Sequence, residues 1–327
     1  MIRSQRSGIN HQGGIGIDVF TEDERQAIHW GTVEVLETAG IWVEDDEALD
    51  LFADGGCKVD RSTRKVRIPQ HVLEECIGWA PSTVTLCGRT PDKDLVMEGR
   101  RVAFTNFAEG VKAVDLYDGK LRPTTKKDVA DLARLVDALP DIEVYTIAVT
   151  ATDVPPEVAE AHLIEQSLLN TTKPICSLAL GHHGARLHID AAAAVAGGHD
   201  KLADRPMLLF LSCPVSPLKL MGEFTGCIIE AARAHQIAMP LSMAMSGGSA
   251  PVTLAGTMVT HNAEVLGGIV LAQLAEKGAK CVYGTSTTAF DLQRAAATVG
   301  TPELGLISAA VAEMGRYYGL PTYGAGL

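Results

Sequence analysis

The sequence has no run of about 20 apolar residues, so nothing in it reads as a membrane-spanning helix. It has no surplus of positive charge either: 28 Lys and Arg stand against 40 Asp and Glu, a formal net charge of −12. Phosphate backbones would repel such a surface, which excludes nonspecific nucleic-acid binding. Aromatic residues are scarce, at 5%. The seven cysteines (Cys57, Cys76, Cys87, Cys176, Cys213, Cys227 and Cys281) are odd in number and never spaced as CxxC. That excludes a zinc ribbon or a disulfide framework and fits reduced thiols packed as small hydrophobes. Met1 to Asp18 is polar and Gly-rich with no apolar core, unlike a signal peptide. A cytoplasmic protein is expected. No GxSxG, HExxH or Walker motif occurs, and no GxGxxG follows the first barrel-type strand.

What is present divides near residue 100. Before it, helix and hairpin signals alternate in a small α+β region. Thr21 is a helix cap followed by Glu22, Asp23 and Glu24, and Gly40 is a helix stop. Residues 57–68 alternate polar and apolar around a polar turn, as a hairpin does. Pro69 suits the start of a helix through Trp79. From Arg101 onward, short apolar runs alternate with amphipathic helical stretches. The runs are residues 102–106, 142–149, 174–180, 206–212, 240–245, 280–284 and 321–324. Strand starts fall about 32 to 40 residues apart, the size of a βαβ unit. A solenoid is the competing reading, but the units share no internal motif. A doubly wound sheet is another. Polar, Gly-rich turns after nearly every strand favour a ring of loops at one end of a barrel. The expected fold is a (β/α)₈ TIM barrel, incomplete after about seven strands (101–327), with an N-terminal α+β extension (1–100).

Three segments carry a resemblance: residues 249–257 continuing to Asn262-Ala263-Glu264-Val265-Leu266; Gln273-Leu274 through Val282-Tyr283-Gly284; and Pro302-Glu303-Leu304 with Arg316-Tyr317-Tyr318-Gly319-Leu320-Pro321. Together with Gly40-Ile41-Trp42-Val43 and the 115–122 hairpin, they resemble the trimethylamine:corrinoid methyltransferase family, over about residues 15 to 327. The resemblance implies a TIM barrel with an N-terminal extension. It implies methyl transfer from a methylated amine to the Co(I) corrinoid of a separate protein, with no cofactor bound tightly by this chain. Trimethylamine-specific members carry a pyrrolysine shortly after the seventh strand. Relatives with an ordinary residue there act on quaternary amines such as glycine betaine. The resemblance therefore implies that the residue after Leu327 is pyrrolysine, encoded by an amber codon. A seven-stranded form has an exposed core edge, so a poorly soluble chain or a homo-oligomer is expected.

Methyl transfer needs apolar and aromatic walls, an acceptor near a cationic nitrogen and an open barrel mouth. Tyr283 and Tyr323, at the ends of the sixth and seventh strands, are candidates for cation–π contact, or ordinary core aromatics. Glu264 lies among apolar neighbours and reads as an inward carboxylate or as a capping residue. These three are the catalytic candidates. Asn106, His182, His183, Asp291 and Glu303 are candidates to face substrate or corrinoid. Asp291 lies in a long loop, residues 285–300, and Glu303 also suits the helix dipole. Ser246, Gly247 and Gly248 form either a backbone cradle for a phosphate or corrinoid tail, or a plain turn. His182, His183 and His188 are not spaced as a zinc pair, so no metal is expected. An idle fragment acting as a binding partner, and a different barrel enzyme with Lys219 or Lys280 as a Schiff base, are the alternatives.

Overall fold

The computed structural model describes residues 18–108 and 110–324. Most of the polar lead, and the last three residues of the closing Gly-rich turn, lie outside them. Helix α1 (Glu22–Glu34) starts at Thr21, whose hydroxyl accepts the Glu24 N–H while the Glu24 carboxylate accepts the Thr21 N–H. It continues through one π turn, Val35–Ala39, and Gly40 at φ 69° ends it. Strand β1 (Ile41–Val43), helix α2 (Asp46–Asp54), the hairpin β2 (Lys58–Asp60) with β3 (Lys65–Arg67), and helix α3 (Gln70–Trp79) follow. Two further hairpins come next: β4 (Val84–Leu86) with β5 (Leu95–Met97), then β6 (Lys112–Val114) with β7 (Leu121–Pro123).

Beyond them strands and helices alternate. They are α4 (Lys126–Ala138), β8 (Tyr145–Thr146), α5 (Pro156–Asn170), β9 (Ile175–Ser177), α6 (Gly181–Ala196), α7 (His199–Asp204) and β10 (Leu208–Ser212). Then come β11 (Lys219–Leu220), α8 (Gly222–Arg233), β12 (Ile237–Ser242), β13 (Met245–Ser246) and α9 (Leu254–Ala275). The series closes with β14 (Lys280–Cys281), β15 (Tyr283–Thr285), β16 (Thr288–Asp291), β17 (Ala296–Ala297), α10 (Pro302–Tyr317) and β18 (Thr322–Gly324). One parallel sheet runs β8, β9, β10, β12, β15, β18, with β14 also on β12. Thr105 adds a parallel bridge to Val144 ahead of β8. The strands follow one another across the sheet in chain order, without a reversal. A doubly wound sheet reverses its order at a switch point, and none occurs here. The fold is α/β, a curled parallel sheet carrying helices.

Six of the seven apolar runs overlap strands of this sheet, one of them displaced, and the first, 102–106, carries only the isolated bridge at Thr105. The fifth was expected at 240–245 and lies at Ile237–Ser242. The preceding helix stops at Arg233 and His235, at φ 54°, turns the chain early. Two loops also differ from expectation. Gly181-His182-His183-Gly184 is the first turn of α6 rather than a loop, and the loop after β15 contains the β16–β17 hairpin.

Alternation along the strands sorts side chains into two cores. Tyr145, Ile175, Phe210, Ala238, Cys281 and Tyr283 join the large cluster shared with the helices. Their neighbours Val144, Cys176, Leu209, Met239, Val282 and Tyr323 form a second cluster inside the curl of the sheet. The β4–β5 hairpin contributes Val84, Leu86 and Leu95 to that interior. It enters at the N-terminal ends of the strands, where Cys87 N–H donates to Pro206 O and Arg89 N–H to Thr172 O. The hairpin therefore floors the interior and leaves the C-terminal end as its mouth.

Helix α9 ties the extension to the sheet. It touches α1, α2, α3, α8, α10 and β12, and its residues are buried nearly all round. No helix among the described residues is long and apolar enough to cross a membrane. Close approach requires Gly268, where a Cβ would sit 2.6 Å from Pro240 Cβ and 2.8 Å from Phe224 Cζ. We expect Gly268→Val to cost about 1–3 kcal/mol of stability in urea unfolding; an unchanged midpoint would show that α9 packs elsewhere.

Candidate active site

Glu264 is the only Asp, Glu, Lys or Arg on the 22-residue helix α9, and it is fully buried. A buried carboxylate needs donors. It has three: Ser216 Oγ at 2.9 Å and Ser242 Oγ at 2.6 Å on Oε2, and Leu218 N–H at 2.9 Å on Oε1. Burial raises its pKa against the pull of these bonds. Ser242 ends β12, while Ser216 and Leu218 belong to the loop after β10. From the other side, Trp42 N–H in β1 donates to Leu218 O. Glu264 thus clamps two mouth loops from behind the sheet and does not stand in the mouth. Ser242 Oγ also lies 3.4 Å from Thr287 Oγ1, which is 3.0 Å from Nδ1 of the buried His261.

The two tyrosines separate by strand parity. Tyr283 is fully buried against the helices; its hydroxyl donates to Asn262 Oδ1 at 2.6 Å and its ring meets His261 edge-on at 5.3 Å. Asn262 in turn donates to Thr32 Oγ1 at 2.9 Å and Tyr318 OH at 2.8 Å, which binds α1 to α9 and α10. Tyr323 faces the interior and keeps partial exposure. Its side chain adjoins Thr146, Cys176 and Cys213, and burial raises the phenol pKa. Leu211 and Cys213 are other half-buried members of the upper interior.

The remaining candidates spread around the mouth. Asn106 pairs its amide with the edge of β8, accepting Thr146 N–H at 3.0 Å and donating to Thr146 O at 2.7 Å. His182 lies outside the sheet, with Nδ1 at 2.7 Å from Glu230 and Nε2 at 3.0 Å from Asp45. His183 is exposed next to it on α6. In the 246–249 turn, Ser246 Oγ donates to Val252 O at 2.9 Å, Gly247 N–H to Ala250 O at 3.1 Å and Gly248 N–H to Met245 O at 2.9 Å. Those amides are spent inside the turn, which leaves no phosphate cradle from them. Asp291 caps its hairpin, accepting from Gln293 N–H and Arg294 N–H, and Glu303 is exposed in the first turn of α10. No cluster of three metal-ligating side chains occurs among the described residues. The structure thus brings Asn106 and Tyr323 together around Thr146, and keeps Glu264, Tyr283 and His182 in supporting positions. Sequence reading missed Thr105, Thr146 and Cys213. The alternation of Val144-Tyr145-Thr146 was the available signal, since it puts Thr146 on the same face as Val144.

Two predictions follow from the supporting groups. Glu264→Ala strands two hydroxyls and an N–H, and should destabilise the chain by about 3 kcal/mol in urea; a loss under 1 kcal/mol would mean that the loop is held otherwise. Burial opposes charge on His182, but its bonds to Glu230 and Asp45 outweigh it and raise the pKa. Its stabilisation is therefore complete below the ordinary imidazole value near 6.5 and is lost as pH rises through the folded value. Glu230 behaves oppositely: burial raises its pKa, Arg186 and His182 lower it further, and its contribution fades in acid. Wild type should exceed His182→Gln by about 1 kcal/mol near pH 6, with the gap closing towards pH 9; a pH-independent gap would assign His182 no charged role.

The family model for trimethylamine methyltransferase (MTTB) matches residues 6–327. The chain is 45% identical to the trimethylamine methyltransferase MttB of Desulfitobacterium hafniense, over 98% of this chain and 65% of that one. It is 44% identical to the MttB of Methanosarcina barkeri, over 98% of this chain and 66% of that one. A glycine betaine methyltransferase of D. hafniense is 32% identical over 94% of this chain and 64% of its own length. The chain therefore spans about two thirds of these relatives. In fold it is similar to the crystal structure of the M. barkeri monomethylamine methyltransferase MtmB, with a TM-score of 0.53 at 11% identity, covering 91% of this chain and 65% of that one. With its match running from residue 6 to residue 327, this chain belongs to the trimethylamine methyltransferase family.

Proposed function

We propose that this chain forms the barrel of a methyltransferase that takes a methyl group from trimethylamine and delivers it to the Co(I) corrinoid of a partner protein. The observation that carries this reading is the 45% identity to a trimethylamine methyltransferase across nearly the whole chain, against 32% to a glycine betaine methyltransferase. The interior is suited to a small methylated amine, with Tyr323, Cys213 and Leu211 around an open end. Apolar side chains also stand exposed on loops that follow successive strands: Phe107, Leu180, Val215, Met243 and Val252. An apolar rim around a barrel mouth fits a flat corrin face and the protein that carries it. When bound, a Co(I) corrinoid supplies the nucleophile. The chain's own part is to hold the amine with one methyl carbon toward the mouth and to exclude water behind it. As the methyl leaves, the C–N electron pair stays on nitrogen, so the nitrogen must be cationic at that moment. The family resemblance assigns this activation to a pyrrolysine beyond the described residues.

Methyl transfer can be followed as loss of the Co(I) absorption of a reduced corrinoid protein. We expect transfer from trimethylamine by the native full-length protein. Transfer from glycine betaine and not trimethylamine would replace the substrate. No transfer from either amine would leave the binding-partner reading in its place.

A further inference from the structure

The hairpin of β6 and β7 lies between Thr105 and α4, on the rim of the mouth, with Gly110 at its base bridged to Val149. It is stiff. In its turn Asp115 accepts the N–H groups of Tyr117 at 2.9 Å and Asp118 at 3.4 Å, and Gly119 takes φ 71°. Arg122 ties Asp115, at 3.0 Å, to Asp128 of α4, at 2.7 Å. The far end is nevertheless apolar and uncovered: Leu116 is 94% exposed and Tyr117 99%, with Phe107, Val111 and Val114 exposed behind them. An apolar patch held out on a rigid arm marks a contact surface.

Hydrogen-bond parity shows which side of the arm is open. Asp115 N–H donates to Lys120 O and Thr124 N–H to Val111 O, so the facing pairs are 111 with 124, 113 with 122 and 115 with 120. Lys112 and Val114 therefore turn their N–H and C=O groups to the outer edge of β6. Leu121 and Pro123 do the same on β7, where Pro123 has no N–H to give. Among the described residues neither edge pairs with a further strand. The β6 edge is thus able to pair, and the β7 edge is blunted.

We propose that the outer edge of β6 joins that of a second copy of this chain: two hairpins lie antiparallel about a two-fold axis at Ala113 and form one four-stranded sheet. In that register Lys112 N–H donates to the partner's Val114 O and Val114 N–H to the partner's Lys112 O, and the axis repeats both. Lys112 then lies opposite Val114, so its stem covers an apolar side chain; a register centred on Lys112 would set two ammonium groups against each other. Each turn is carried past the axis to the base of the other hairpin, where Phe107 and Val111 are exposed to receive Leu116 and Tyr117. The axis uses up both β6 edges and leaves only β7 edges outside, so this contact closes at two copies. None of this depends on the methyltransferase reading.

The test is sedimentation of the native full-length protein over a range of concentrations, with hydrogen exchange at the Lys112 and Val114 amides. Wild type should sediment as dimers or as multiples of them, and both amides should exchange more slowly as concentration rises. Val114→Pro removes only an outward N–H and spares the hairpin's own bonds; it should weaken the dimer at least roughly tenfold, the scale of one hydrogen bond lost from each copy. Leu121→Pro makes the same change on the outer edge of β7 and should leave the dimer within about twofold. Val114→Lys sets like charges across the axis and should also dissociate it. A monomeric wild type, a dimer indifferent to Val114→Pro and Val114→Lys, equal losses from the two proline variants, or fast exchange at both amides in the dimer would each overturn the pairing. Protection that appears only when a corrinoid protein is added would assign the edge to another partner and overturn it too. The exchange measurement needs wild type alone, so it decides the question even where a proline variant fails to fold.

Discussion

The period-two alternation of the parallel strands is the constraint on which the molecule depends. One residue's difference in register moves a side chain from the helix-facing core to the interior. Tyr283 and Tyr323 illustrate it. They lie on neighbouring strands, with Tyr283 opposite Thr322 and Tyr323 opposite Gly284. The one-residue offset sends Tyr283 into a hydrogen-bonded packing role between α9 and α10, and Tyr323 toward the mouth. The same parity puts Cys176 and Val282 inside and Ile175 and Cys281 outside.

Parity positions the interior, but the mouth is fixed by buried polar ties from outside the sheet. Each tie joins segments far apart in the chain. Glu264 holds the loops after β10 and β12. Glu313, nearly fully buried on α10, accepts the N–H groups of Val19 and Phe20 and pairs with Arg25 at 2.5 Å. His182 joins α6 to α8 and to the cap of α2. Such groups are costly to strand, so each fixes one arrangement out of several that apolar packing would allow. The large core is continuous from Ile28 to Leu320, so the extension and the sheet share it.

The order of elements was legible because it is written locally, in caps, hairpin turns and apolar runs. Thr21, Gly40 and the 57–68 hairpin act over a few residues, and each appears where those signals put it. The site was less legible because its contacts span 40 residues or more. Thr105 and Thr146 are 41 apart, and only the alternation of Val144-Tyr145-Thr146 hints that Thr146 is interior. Gly181 through Gly184 looked like a loop because two glycines bracket two histidines. In the fold Gly184 is needed in the helix itself, since a Cβ there would sit 2.2 Å from Glu160 Oε2. The 246–249 turn offered glycine amides to a phosphate by sequence, and the chain uses them for its own closure.

The chemistry of the interior also bears on why hydroxyls and thiols, rather than carboxylates, adjoin Tyr323. On the methyltransferase reading, the substrate nitrogen is cationic before transfer and neutral after it. A carboxylate at the nitrogen would stabilise the starting cation more than the transition state, where that charge is already fading. Only interactions that favour the transition state accelerate the step. A phenol oxygen and a ring face bind an ammonium more weakly, and their grip falls less as its charge disappears. Burial pushes the Cys176 thiol up to about 12, so this neighbour remains uncharged as well. On that reading, a neutral wall is the arrangement that can hold the amine in place and still let the methyl group go.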